Sequence, residues 1–162
     1  MNLIQFKSAL ENLDHITLRC LDKLIPKIGA ESFGGMTSSN ILKVLNLAAK
    51  SLDKGESYLE LGTYTGLTVI GAMLKNEDKQ FIAVDDFSQY GGSAVELLEN
   101  IHAFFPQGIP QGFCFYNLAI EKFFQNYSEK NIGVVFLMPY IPMKQRWIIF
   151  GWCNRIWLSL PF

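Results

Sequence analysis

Apolar residues recur every three or four positions at Leu3, Phe6, Leu10, Leu13, Ile16, Leu18 and Leu21, which predicts an amphipathic helix over residues 2–24. Pro26 stops it, and 29–35 reads as a glycine-bearing loop. Thr37, Ser38 and Ser39 offer capping hydroxyls for a second helix that runs to about Ser51, and Gly55 closes that segment. The period then changes. Short apolar runs at 57–61 (SYLEL), 80–84 (QFIAV), 112–116 and 132–137 (IGVVFL) read as strands. Between them, 67–74, 119–127 and the stretch from Gly91–Gly92–Ser93 to about Phe105 read as helices. Strands alternating with helices imply a parallel sheet wound by right-handed crossovers, an α/β fold with helices on both faces. No internal repeat interrupts the pattern.

Composition narrows the function classes. The chain has 162 residues, 49% hydrophobic and 14% aromatic, enough for one domain with a real core. Fourteen basic residues against fifteen acidic ones leave a net charge of −1. No global positive field would recruit nucleic acid. Cys20, Cys114 and Cys153 are dispersed and odd in number, and only His15 and His102 could join them. That pattern gives neither a disulfide framework nor a zinc site, and it predicts reduced thiols in a cytoplasmic chain. Glu11, Asp14 and Asp22 break up the N-terminal apolar residues, which excludes a signal peptide. No transmembrane segment is expected.

The stretch that carries chemistry is Tyr58-Leu59-Glu60-Leu61-Gly62-Thr63-Tyr64-Thr65-Gly66, followed by Asp85. A strand enters a glycine turn and leaves as a helix, whose N-terminal N–H groups favour an anionic group. Gly62 permits a sharp turn and close approach to the backbone. Asp85 ends the second strand, where a doubly wound sheet places a carboxylate beside the first turn, within reach of ribose hydroxyls. Together these residues predict a nucleoside site at the carboxyl ends of the strands. The same residues also serve purely structural ends: Glu60 and Asp85 as helix caps or solvated strand ends, Gly62 and Gly66 as tight packing points. Asp86 reads as a solvated neighbour, His102 and His15 as ordinary helix residues, and Gly91–Gly92 as a flexible loop or hinge. No nucleophile–base pair is evident.

A dinucleotide binder would show G-x-G-x-x-G. Here Glu60, Gly62 and Gly66 form E-x-G-x-x-x-G, which resembles the first motif of the class I S-adenosylmethionine-dependent methyltransferases. Asp85 matches that family's acidic end of the second strand. With the Gly35 to Ser38 lead-in, the resemblance spans roughly residues 30–137 and looks closest to the small-molecule O-methyltransferase-like branch. It implies a three-layer Rossmann-like methyltransferase sheet, incomplete at the C-terminus, with S-adenosylmethionine as cofactor and a small-molecule methyl acceptor. In that family's terms Glu60 helps hold the methionine ammonium, Gly62, Thr63, Tyr64 and Gly66 wrap the amino-acid portion, and Asp85 binds the ribose. No metal site is implied, catalytic residues are unassigned, and an oligomer is compatible. The organisation expected is a helix in 1–30, a cofactor-binding domain in 31–137 and an atypical tail in 138–162.

The tail breaks the pattern. After Glu129 there is no acidic residue, although fifteen precede, and all three tryptophans fall there. No further strand–helix unit is legible, which leaves the fourth strand as an open apolar edge. An out-of-frame origin accounts for this. Read from the third base of each codon, Met138 before Pro139 forces Ala, Met143 before Lys144 forces Glu, and Trp147 before Ile148 forces Asp. Tyr140 before Ile141 permits only Tyr or His. The string accommodates F-D-A-I-H-S-Y-E, which resembles the D-G/A-x-H-x-Y-E stretch after the fourth strand in the same branch. A membrane-surface or partner-binding helix in the tail is the competing reading. The functions in play are therefore a methyltransferase, a non-catalytic remnant that only binds the cofactor or a nucleotide, and, less favoured, a nucleotide-binding oxidoreductase.

Overall fold

The computed structural model describes residues 1–12, 37–128, 131–138, 146–150 and 156–160. Residues 13–24 of the expected first helix, the 29–35 loop, His15, Cys20 and Cys153 lie outside these. The elements in chain order are α1 (Leu3–Glu11), α2 (Ser39–Lys50), β1 (Ser57–Leu61), α3 (Leu67–Met73), β2 (Gln80–Val84) and α4 (Ala94–Phe104). They continue with β3 (Phe113–Tyr116), α5 (Ile120–Asn126), β4 (Ile132–Leu137), β5 (Arg146–Phe150) and β6 (Ile156–Leu160). Three helices start on a side-chain cap: Asn2, Ser38 and Ser93 accept the N–H of Gln5, Ile41 and Glu96.

The fold is α/β and Rossmann-like. Four parallel strands run in the order β3-β2-β1-β4, so the order reverses between β1 and β4. Alternate residues of each strand point to opposite faces. Tyr58, Phe81, Val134 and Phe136 join the core beneath α1 to α4. Leu59, Leu61, Ile82, Val84 and Val135 face the other way, where Phe123 of α5 packs on them. Right-handed crossovers require this side switch once the strand order reverses. Helix α1 belongs to the same core through the buried Phe6, and the Asn2 N–H donates to the Ser51 carbonyl at the end of α2.

The tail corrects an expectation. β4 is not an open edge: β5 pairs antiparallel with it from Val134↔Phe150 to Leu137↔Trp147, and β6 pairs antiparallel with β5. Residues 146–150 and 156–160 are therefore strands rather than an interfacial helix. Aromatic and β-branched runs suit a pleated edge, and an antiparallel hairpin adds to a sheet without a crossover.

Helix α3 has seven residues, too short to persist alone, so its ends decide its stability. The carbonyl of Ile70 accepts from the Leu74 N–H, and that of Met73 from the Asn76 N–H. Buried Asn46 donates to the carbonyls of Gly71 and Leu74, each at 2.7 Å, and buried Asn76 donates to that of Ala72 at 2.8 Å. Every carbonyl of the last turn is thus satisfied inside the protein. Asn46→Leu keeps the volume but orphans two buried carbonyls. It is expected to lower unfolding stability by about 2–4 kcal/mol, measured by urea denaturation.

Candidate functional site

The site forms where the loops after all four parallel strands meet. Because Leu61 is in register with Val84, the turn after β1 crosses the end of β2. The N–H groups of Gly62 and Thr63 both donate to the Val84 carbonyl. The next residue, Tyr64, donates its N–H to Asp85 Oδ2 at 2.6 Å, while Asp85 Oδ1 accepts the N–H of Phe87 at 2.7 Å. Tyr64 (φ 50°) and Phe87 (φ 56°) both occupy the left-handed region, which bulky side chains avoid. One carboxylate thus ties two strained loops together. Tyr64 meets Tyr90 edge-on at 6.1 Å, and a Cβ on Gly92 (φ 83°) would come within 3.2 Å of the Tyr64 ring.

These loops enclose a cleft of about 220 Å³. Gly62 and Tyr64 line it from the first loop, Asp85, Asp86, Phe87 and Tyr90 from the second, Leu118, Ile120 and Glu121 from the third, and Met138 from the fourth. Among the described residues its lining includes three carboxylates and no basic side chain. Asp86 is exposed, and its ordinary carboxylate range is lowered by the hydroxyl and N–H of Ser88 that bond to it.

Glu60 sits elsewhere. It is fully buried under the turn, facing α3. Its Oε1 accepts the Thr68 hydroxyl at 2.7 Å, its Oε2 accepts the Tyr58 hydroxyl at 2.8 Å, and the Val69 N–H also bonds to it. Gly66, the N-cap of α3, has no side chain to do this, so Glu60 caps the helix from β1. Of the two readings of Glu60, the cap is the one seen in the geometry. Burial raises its pKa from 4.5 to about 8 against the pull of these bonds, and the charge on Asp85 adds to the rise. Burial, and then the charge of Glu60, likewise hold the Tyr58 phenol well above its usual range.

The glycines also have chain partners. A Cβ on Gly62 (φ 81°) would lie 2.5 Å from the carbonyl oxygen of Met138, so the close approach there is by β4's own exit. Gly66 (φ 91°) faces the end of the Leu97 side chain. Beside them is a small pocket of about 10 Å³, lined by Thr37, Thr63, Tyr64, Thr65, Leu67, Thr68 and Met138. The Thr37 hydroxyl is buried in it without a hydrogen-bond partner among the described residues.

The structure therefore brings Gly62, Tyr64 and Asp85 together at the cleft, places Thr63 at the small pocket, and sets Glu60 behind Thr68. Gly66 lies at the start of α3 and lines neither space. Sequence reasoning missed Phe87, Tyr90, Leu118, Ile120 and Glu121, although an aromatic and acidic residue just past a strand end was a usable signal. It also missed Thr37, Thr65 and Thr68. His102 and Cys114 are exposed, and among the described residues no group of acids, histidines and cysteines is placed to hold a metal.

No protein-family model matches the chain, and no curated protein matches it. Among solved structures it is similar to coclaurine N-methyltransferase bound to N-methylheliamine and SAH, at 12% identity and a TM-score of 0.40. That match covers 84% of this chain and 49% of the other. It is also similar to an uncharacterised protein from Burkholderia thailandensis, at 14% identity and a TM-score of 0.39, over 99% of this chain and 50% of the other. The chain spans about half the length of these structures.

The buried carboxyl has a pH signature. Folded, Glu60 keeps its proton up to about pH 8, whereas unfolded it loses it near 4.5. Folding takes up a proton between those values, so this group's stabilising contribution is full below 4.5 and is lost as pH rises to about 8. Glu60→Gln mimics the protonated form. Its melting temperature relative to wild type is expected to rise steadily between about pH 5 and pH 8 and then level off, as read by thermal denaturation.

Proposed function

We propose that the cleft binds S-adenosylmethionine and that this chain is the cofactor-binding part of a methyltransferase acting on a small molecule. The observation that carries this is the charge of the lining. Among the described residues Asp85, Asp86 and Glu121 line the cleft and no basic side chain does, the charge of Lys122 acting on the exposed Asp86 from outside the lining, and Glu60 already occupies the N-terminus of α3. A pyrophosphate needs that helix end and positive charge. An adenosine carrying a sulfonium and an ammonium needs the opposite.

The residues present fit such a ligand. A carboxylate offers about four acceptor positions, so Asp85 retains capacity for ribose hydroxyls after binding Tyr64 and Phe87. Phe87, Leu118 and Ile120 supply apolar and aromatic walls for a planar base. The unpartnered Thr37 hydroxyl marks the small threonine-lined pocket as the place for a polar end group. When bound, the cofactor supplies an electrophilic methyl group. The chain's part is to hold it in one orientation and keep water away, which is where most of the rate of such a displacement arises.

One observation favours a second reading, binding without turnover. The tail after β4 carries no acid, and we infer that it is an out-of-frame product, so that the acceptor side of the enzyme is replaced. Sequencing the coding DNA from codon 129 is expected to give Asp-Ala-x-His-x-Tyr-Glu in the third-base frame. The absence of that string would make the tail native and remove this reading.

The cofactor assignment is tested by calorimetry. Asp85→Ala is expected to weaken S-adenosylmethionine binding about a hundredfold or more, because two hydrogen bonds to a charged acceptor are lost. Asp86→Ala, whose partner is Ser88, is expected to change it by less than about threefold. Equal affinity of wild type and Asp85→Ala, or thermal stabilisation by NAD instead, overturns the assignment.

A further inference from the structure

A second concavity lies on the α5 side of the sheet. It has about 200 Å³ and is lined by Tyr116, Leu118, Phe123, Asn126, Tyr127 and Ser128. Phe123 of α5 and Tyr127 at its C-cap are four residues apart, so they fall on one face of the helix. Their rings stack at 4.5 Å and 23°, and Tyr116, from the end of β3, stands edge-on to both at 5.2 and 6.5 Å. Such an aromatic corner takes a further flat ring by stacking or by edge contact. Asn126 and Ser128 are exposed, so their polar groups stand at the mouth. One N–H of the Asn126 amide donates to the Lys122 carbonyl at 2.8 Å, which fixes the amide plane. The oxygen of the same amide is then an acceptor held in place, and the Ser128 hydroxyl donates or accepts.

We propose that this pocket is a second small-molecule site, for a neutral, flat aromatic compound of one or two fused rings with an O–H or N–H on its edge. Size sets the ring count. A closed cavity of roughly 150 Å³ holds one benzene, and this pocket, with polar groups at an open mouth, has about 200 Å³. Charge sets the class. Among the described residues no acidic or basic side chain lines the pocket, whereas three carboxylates line the cleft. A charged ligand here would lose hydration without gaining a counter-charge, so a cation is drawn to the cleft and a neutral ring to the pocket. The Asn126 oxygen accounts for the donor on the ligand's edge. The two sites meet without merging. Leu118 is the one lining residue they share, and the Tyr116 carbonyl accepts the N–H groups of Leu118 at 3.0 Å and Asp85 at 3.2 Å. A ring against Tyr116 thus sits one main-chain hydrogen bond from the residue that holds the cleft together. The proposal does not depend on the S-adenosylmethionine assignment.

The test is titration of the isotope-labelled full chain with indole, and with indole-5-carboxylate as its charged counterpart, followed by amide NMR shifts. Indole is expected to move the signals of Asn126 and Tyr127, and to do so equally with S-adenosylmethionine present in excess. The carboxylate is expected to bind about tenfold more weakly or worse, because its charge is left unpaired. Ser128→Phe puts a ring into the pocket from an exposed position and is expected to weaken indole about tenfold or more. Asn126→Leu removes the acceptor and is expected to weaken it about fivefold; this variant decides if Ser128→Phe fails to fold. No shift at Asn126 and Tyr127, displacement of indole by S-adenosylmethionine, equal binding of the carboxylate, or unchanged indole affinity in both variants overturns the proposal. If the indole pattern holds and S-adenosylmethionine does not bind, this site stands and the cofactor assignment falls.

Discussion

The site depends on one carboxylate. Asp85 closes hydrogen bonds to Tyr64 in the first loop and Phe87 in the second, and both residues sit in a backbone region that costs energy for side chains of their size. Each loop alone would relax. Held by a shared acceptor at the end of β2, they become the two walls of the cleft, and Tyr90 and Gly92 pack against Tyr64 as a result. The same carboxylate atoms thus hold both strained loops and shape the cleft between them.

The second polar centre is inside the helix layer. Buried acids are tolerated only when hydrogen-bonded or neutral, and Glu60 is both. Its hydroxyl and N–H donors satisfy it, and burial keeps its proton on. In return it caps α3, whose other end is closed by Asn46 and Asn76. A short helix with both ends satisfied by buried side chains behaves as a fixed block against which the first loop is built.

Much of this was legible. Strands β1, β2 and β4 were readable to the residue, because apolar runs bounded by glycine, asparagine or aspartate leave little freedom. The boundaries of β3 and α5 shifted by one residue, as ends do where a single turn bond decides them. Asp85 was recognisable from position alone. The burial of Glu60 beneath the turn was not legible in the motif, since a motif records which residue is present and not which face it occupies. The period-two alternation did hold that information: Glu60 shares a face with Tyr58, toward the helices. The pairing of β5 with β4 was not legible, because edge pairing uses main-chain groups, which composition does not describe. Four positions of β5, Trp147 to Phe150, pair with the β4 edge through main-chain bonds.

The pairing of β1 also sets an order of events during synthesis. Ser57 joins Gln80 on one side but must wait for Ile132 on the other. Until β4 emerges, the central strand has a bare flank, and Met138 is not yet there to close over Gly62. Long-range parallel pairing is slow to form, so the unpaired flank of β1 stays exposed until β4 arrives. The cleft is therefore completed only when β4 and Met138 have emerged, and until then the bare flank of β1 is open to misassembly.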